Sequence, residues 1–216
     1  MKFDYQIENI GEWVIRFRKP KFEGIFPAHI LLHGWTGDEN SMWIFESKIP
    51  DDVYVISLRG FNPTPLGGYG WQISGEGKWP TLNDFQPAIN SFLEFIQIKN
   101  FPQCDFSDLT LVGFSQGASL AYAIGIEHPD KISAIAALSG FLPKGVERSI
   151  GKNSLKGLPI YITHGSLDEL VPVEKARTAV DVLSRAGAIV SYCEESVGHK
   201  LSAACFNGME SFLKSQ

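Results

Sequence analysis

The sequence predicts a three-layer α/β sandwich, a mostly parallel sheet with helices on both faces. Six short apolar runs carry the first half of that prediction: Ala28–Leu32, Val53–Leu58, Leu109–Phe114, Ile132–Leu138, Pro159–Thr163 and Ala188–Cys193. They are rich in Val, Ile and Leu and barely alternate, as strands covered on both faces should. Helical faces lie between several of them and carry the second half. Phe85, Ile89, Phe92/Leu93 and Ile96 share one side; so do Val173, Ala176, Val180 and Leu183; so do Leu201, Ala204/Cys205, Met209 and Phe212. Strand alternating with helix closes into a parallel sheet through crossover connections.

Before these runs, Asp4–Glu8 and Trp13–Arg18 alternate loosely around Asn9-Ile10-Gly11, a pattern that suits two strands at a sheet edge open to water. Two connections are long. Arg59 to Pro80 spans 22 residues with six glycines, three prolines and the aromatics Phe61, Tyr69, Trp71 and Trp79. A loop of this length is usually functional, and its aromatics point to a pocket wall. Phe141 to Gly157, at 17 residues, is too short for a separate helical cap. With 216 residues and no repeat or linker-like shift in composition, a single domain over 1–216 is expected.

Composition narrows the function. The formal charge of −5 provides no diffuse field for phosphate backbones or anionic lipid, so nucleic acid is not an expected partner. No apolar run approaches the roughly 20 residues of a bilayer span. The opening MKFDYQIENIGEW has acids and amides where a secretory leader needs an apolar stretch. Cys104, Cys193 and Cys205 show no metal or redox spacing and are expected to be reduced thiols in a cytoplasmic protein.

The chemistry is concentrated at Gly113-Phe114-Ser115-Gln116-Gly117, directly after a buried run and directly before the Ala-rich helical stretch Ala118–Ile126. A sharp strand-to-helix turn strains the central residue and leaves no room for side chains two positions either way. Ser115 then projects above the carboxyl end of the sheet as a candidate nucleophile, which needs a base within hydrogen-bond reach. Three histidines follow it. His128 falls at the far end of the helix that Ser115 begins. His164 ends a strand and is expected to bond backbone in the turn. His199, between the last strand and the last helix, is the expected base. Asp168, nearest the end of the strand Pro159–Thr163, is the expected acid, with Glu169 pointing elsewhere. For the oxyanion, the Gln116 N–H is one donor. The loop His33-Gly34-Trp35-Thr36-Gly37 supplies the other, Trp35 first and Thr36 second. No G-x-G-x-x-G follows the early strands, which argues against a dinucleotide binder.

Four stretches, LLHGWTGDEN, RGFNPTPLGGYGW, LVGFSQGASLAYA and ITHGSLDELVPVEKA, followed by GHKLS, resemble the small α/β-hydrolases of the phospholipase/carboxylesterase group, which includes lysophospholipases and acyl-protein thioesterases. The resemblance runs from about Ala28 to the C-terminus. It implies an α/β-hydrolase fold without a large cap and serine hydrolysis of short- to medium-chain acyl esters or thioesters, with no metal or organic cofactor. It assigns Ser115, Asp168 and His199 to the triad and Trp35 and Gln116 to the oxyanion hole. Trp35, Tyr69, Trp71 and Leu170 are expected to line the substrate pocket of a monomer or homodimer acting on a small-molecule acyl ester. Two flanking positions depart from the family pattern: Glu169 stands where many relatives have proline, and Lys200-Leu201 where small residues are common.

Overall fold

The computed structural model describes residues 6–72, 79–97 and 99–216. The strands are β1 Gln6–Ile10, β2 Trp13–Arg18, β3 Phe26–Leu32, β4 Tyr54–Leu58, the two-residue β5 Asn62–Pro63 and β6 Tyr69–Gly70, β7 Cys104–Phe114, β8 Ala134–Leu138, β9 Pro159–Gly165 and β10 Ile189–Glu195. The helices are α1 Leu82–Phe95, α2 Gln116–Glu127, the one-turn α3 Val146–Ser149, α4 Val173–Arg185 and α5 Ala203–Leu213, with a 3₁₀ turn at Trp43–Lys48. Every apolar run expected to be a strand is one. The first strand is described from Gln6; Asp4 and Tyr5 of that expectation lie outside the described residues, as do 73–78 of the aromatic loop.

Eight strands form one sheet in the order β1-β2-β4-β3-β7-β8-β9-β10. The six from β4 to β10 in that order run parallel, while β1 and β2 pair antiparallel at one edge. Successive side chains feed opposite faces. Ile30, Leu32, Leu111, Ile135 and Ile160 pack with Phe85, Ile89, Ala121 and Ala176 of α1, α2 and α4. Leu31, Val112, Ala136 and Tyr161 pack with Phe45 of the 3₁₀ turn and Met209 and Leu213 of α5. Both faces are therefore covered, which explains the missing alternation.

The strand order reverses between β3 and β7, where chains leaving adjacent carboxyl ends diverge; such a point is where open α/β sheets bind ligands. Register sets Leu32 beside Gly113 there. The loop after β3 is pinned from below. The buried His33 donates from Nδ1 to Gly34 O at 2.7 Å and accepts the Gly60 N–H at Nε2, 2.9 Å. Trp71 Nε1–H donates to His33 O at 2.7 Å, and the Trp71 amide donates to Gln116 Oε1 at 2.9 Å.

One expectation is corrected here. Cys193 of β10 and Cys205 of α5 form a disulfide, with Cα atoms 5.6 Å apart. The reduced-thiol reading and the cysteine argument for a cytoplasmic location fail together. The two residues are 12 apart in sequence with no motif spacing, and only the packing of α5 against β10 brings them together. Cys104 is the free cysteine; burial first, and Asp105's charge second, push its thiol up to about 12. No helix among the described residues is long and apolar enough to cross a membrane.

Two outcomes follow for stability. Denatured, unreduced protein titrates one thiol per chain and reduced protein three. Replacing Cys193 and Cys205 with Ala lowers the unfolding free energy by about 3 kcal/mol, measured by urea titration. The second outcome concerns His29 and His33, whose pKa values burial lowers from 6.5 to about 4. The unfolded chain takes up these protons first. Their contribution is therefore complete above about pH 6.5 and is lost as pH falls toward about 4, by on the order of 2 kcal/mol per histidine at pH 5. A urea midpoint unchanged between pH 7 and pH 5 would contradict it.

Candidate active site

The turn from β7 into α2 builds the centre of the site. Ser115 sits at φ 53° and ψ −114°, a left-handed φ that a non-glycine residue adopts only when its surroundings compel it. Its N–H donates to Leu138 O at 2.8 Å, fixing the turn to the neighbouring strand. A Cβ on Gly113 would collide with the Gly117 carbonyl and the Ala118 nitrogen, and one on Gly117 with the carbonyls of Leu32 and His33. Glycine at these two positions lets α2 start directly against β3 and β7, so the serine hydroxyl stands free of the sheet edge.

Two other carboxyl ends complete the group. His199 arrives on the loop between β10 and α5, with Nε2 3.0 Å from Ser115 Oγ and Nδ1 2.6 Å from Asp168 Oδ2. Its ring packs on Phe114, centroids 4.9 Å apart. Asp168 stands on the turn after β9, and its Oδ1 accepts the backbone N–H groups of Leu170 and Val171, both at 2.9 Å. The Asp168 side chain is fully buried, so its charge is met by these three donors and not by water. A hydrogen bond from Ser166 N–H to Glu195 O at 2.8 Å and another from Leu167 N–H to Val197 O at 3.0 Å lace the aspartate loop to the histidine loop.

The expected oxyanion donors lie beside this chain. Gln116 opens α2, where a helix leaves its amide without an internal acceptor. Neither Trp35 N–H, the first choice for the second donor, nor Thr36 N–H, the alternative, has a protein acceptor among the described residues. Thr36 itself takes φ 70°, and the Tyr69 N–H donates to Gly37 O at 2.8 Å, bracing that loop.

One cavity is described beside this group. A cavity of about 510 Å³ opens beside Trp35 and His199, and its walls include Met42, Ile44, Phe45, Phe114 and Phe206. These come from the segment after β3, the end of β7 and α5; the described part of the Arg59–Pro80 loop does not line it. Trp71 is 1% exposed, its indole committed to His33 beneath the site. Tyr69 carries the Arg59 guanidinium 4.5 Å above its ring, and Leu170 projects into solvent. Of the four expected lining residues, only Trp35 faces the cavity.

Glu169 and His128 stand apart from this group. Glu169 is exposed and makes no contact with His199 among the described residues, and His128 caps the far end of α2. His164 is buried in the turn, its Nε2 2.7 Å from Val171 O. No group of three or more His, Cys, Asp or Glu among the described residues has metal-binding geometry. Sequence reasoning missed Phe114 and Phe206: an aromatic at the second position of the elbow or in the last helix looks like any core residue until the loops are in place.

Comparison with known proteins bears on the fold and the family. The chain aligns at 39% identity over 90 residues with acyl-protein thioesterase 1 of Kluyveromyces lactis, covering 40% of this chain and 38% of that protein. It aligns at 43% over 91 residues with the enzyme of the same name from Saccharomyces cerevisiae, covering 41% and 40%. The alignments thus span about two fifths of the length of these relatives. The carboxylesterase structure from Mesorhizobium loti superposes with a TM-score of 0.83 at 20% identity over 98% of this chain and 99% of that one. The Bacillus cereus carboxylesterase gives 0.82 at 20% identity, over 95% of each. These likenesses establish the α/β-hydrolase fold. The model of the phospholipase/carboxylesterase family matches residues 71–216, about two thirds of the chain and all of the segments that carry Ser115, Asp168 and His199, and the protein belongs to that family of hydrolases.

Proposed function

We propose that this protein is a serine carboxylesterase of one domain, residues 1–216, that hydrolyses short- to medium-chain acyl esters through an acyl-enzyme. The observation that carries the reading is the continuous chain from Ser115 Oγ through His199 to the buried Asp168, at 3.0 and 2.6 Å. Ser115 attacks the acyl carbonyl while His199 Nε2 takes its proton. Asp168 holds the Nδ1–H tautomer and stabilises the imidazolium without becoming protonated. The carbonyl oxygen, now negative, lies against the Gln116 and Trp35 amides, where the loss of one donor typically costs about 3 kcal/mol. His199 returns the proton to the leaving alcohol, and then activates water to release the acid.

The apolar cavity beside Trp35 supports an aliphatic or aryl acyl group, since its walls are Met, Ile and Phe side chains and its volume of about 510 Å³ suits a small ligand. A thioester uses the same groups with an easier leaving thiolate. The 39% and 43% identical segments shared with acyl-protein thioesterases favour that as the second reading.

Ser115→Ala abolishes hydrolysis of p-nitrophenyl butyrate, by up to about a million-fold in kcat, and loses fluorophosphonate labelling with an unchanged circular dichroism spectrum. Turnover at the wild-type rate sinks the reading. A panel of p-nitrophenyl esters from two to sixteen carbons, run beside an acyl-CoA thioester, ranks the two substrate classes. Asp168→Asn lowers kcat by roughly 10⁴-fold, whereas Glu169→Gln stays within about twofold because its side chain is exposed; the opposite pattern reassigns the acid. His199→Ala lowers kcat by up to about a million-fold, and wild-type turnover in that variant would remove the histidine from the proton path.

A further inference from the structure

A second imidazole lies under the acid. The side chains of His164 and Asp168 are both fully buried, and His164 Nε2 is 3.3 Å from Asp168 Oδ2, the oxygen that also meets His199 Nδ1 at 2.6 Å. His164 Nε2 is closer still to Val171 O, at 2.7 Å. A carbonyl only accepts, so the His164 proton is on Nε2. Its Nδ1 is buried and has no hydrogen-bond partner among the described residues. The N–H therefore points at Val171 O with its positive end beside Asp168 Oδ2. Val171 in turn donates its own N–H to Asp168 Oδ1. One imidazole thus holds both sides of the aspartate turn, through the carbonyl of the residue whose amide holds the carboxylate.

We propose that His164 is a positioning residue for the acid–base pair, clamping the Asp168–Val171 turn so that Oδ2 stays on the His199 Nδ1–H. The inference rests on the triad reading above. His164 takes no proton from substrate. It acts by fixing the carboxylate and by presenting a neutral N–H dipole to a charge that water does not reach. The charged group nearest His164 across the sheet is Glu194, its register partner on β10. Glu194 is already engaged by Arg177 at 2.7 and 3.0 Å and by the Tyr192 hydroxyl at 2.7 Å. Asp168 is therefore the carboxylate left for His164 to serve.

The test pairs His164→Leu, which removes the donor, with His164→Gln, whose amide nitrogen can take the place of Nε2. Both are assayed with p-nitrophenyl butyrate across pH, beside Ser115→Ala. His164→Leu lowers kcat ten- to a hundredfold with KM within twofold. It also moves the acid limb of kcat/KM upward, because Asp168's charge then acts undiluted on the His199 imidazolium. His164→Gln recovers kcat to within about threefold and returns the limb. If the leucine variant does not fold, His164→Asn, whose N–H falls short of Val171 O, replaces it as the low-activity member. A donor-free variant with wild-type kcat and pH profile overturns the clamp, as does a glutamine variant no better than leucine or asparagine. When Ser115→Ala is inactive, such a result overturns the clamp alone. An active Ser115→Ala overturns the serine reading and the clamp with it.

Discussion

The site depends on one steric constraint, the closeness of the first turn of α2 to the ends of β3 and β7. Backbone meets backbone there: the chain at Gly117 lies against the carbonyls of Leu32 and His33, and Gly113 against Gly117 itself. That contact forces Ser115 to a positive φ and lifts its hydroxyl clear of the sheet. It also sets the loop after β3 and Ser115 at one fixed spacing, since both grow from adjacent, registered strands. Strain at a single residue is tolerable because the surrounding sheet and helix over-determine it.

Electrostatics complete what sterics begin. A carboxylate with no access to water would be costly to bury alone. Here two backbone amides, the His199 N–H and the nearby His164 N–H converge on Asp168. His33, Trp71 and the Gln116 side chain do the corresponding work under the loop after β3, with neutral groups only. The rim thus has two kinds of support: a charged turn after β9 and an aromatic platform after β3.

Much of this was legible in the sequence, for identifiable reasons. Buried parallel strands lose alternation, and the elbow needs glycine at fixed offsets, so the sheet, Ser115 and its surroundings could be placed from residue types alone. Asp168 and His199 followed from where strands end. The walls of the cavity beside Trp35 were not legible. Trp71 and Phe45 are both buried aromatics near loops; which one lines that cavity depends on the path of the chain after β3, and no local pattern encodes that path. The start of β7 was hidden for a different reason. Cys104 and Asp105 pair with Phe26 and Pro27 ahead of a register shift, and the stretch Asp105–Asp108 looks like a loop. The disulfide was hidden because it joins elements whose packing is a property of the whole sheet.

That disulfide has a topological consequence. The Cys193–Cys205 bond closes a ring that contains His199 and the α5 capping residue Ser202. A protease nick between residues 194 and 204 would therefore cleave the chain without separating the fragments. The last helix, with Met209 and Leu213 seated on the sheet, would stay tethered to the body by sulfur alone, and the chain would migrate as one molecule until reduced.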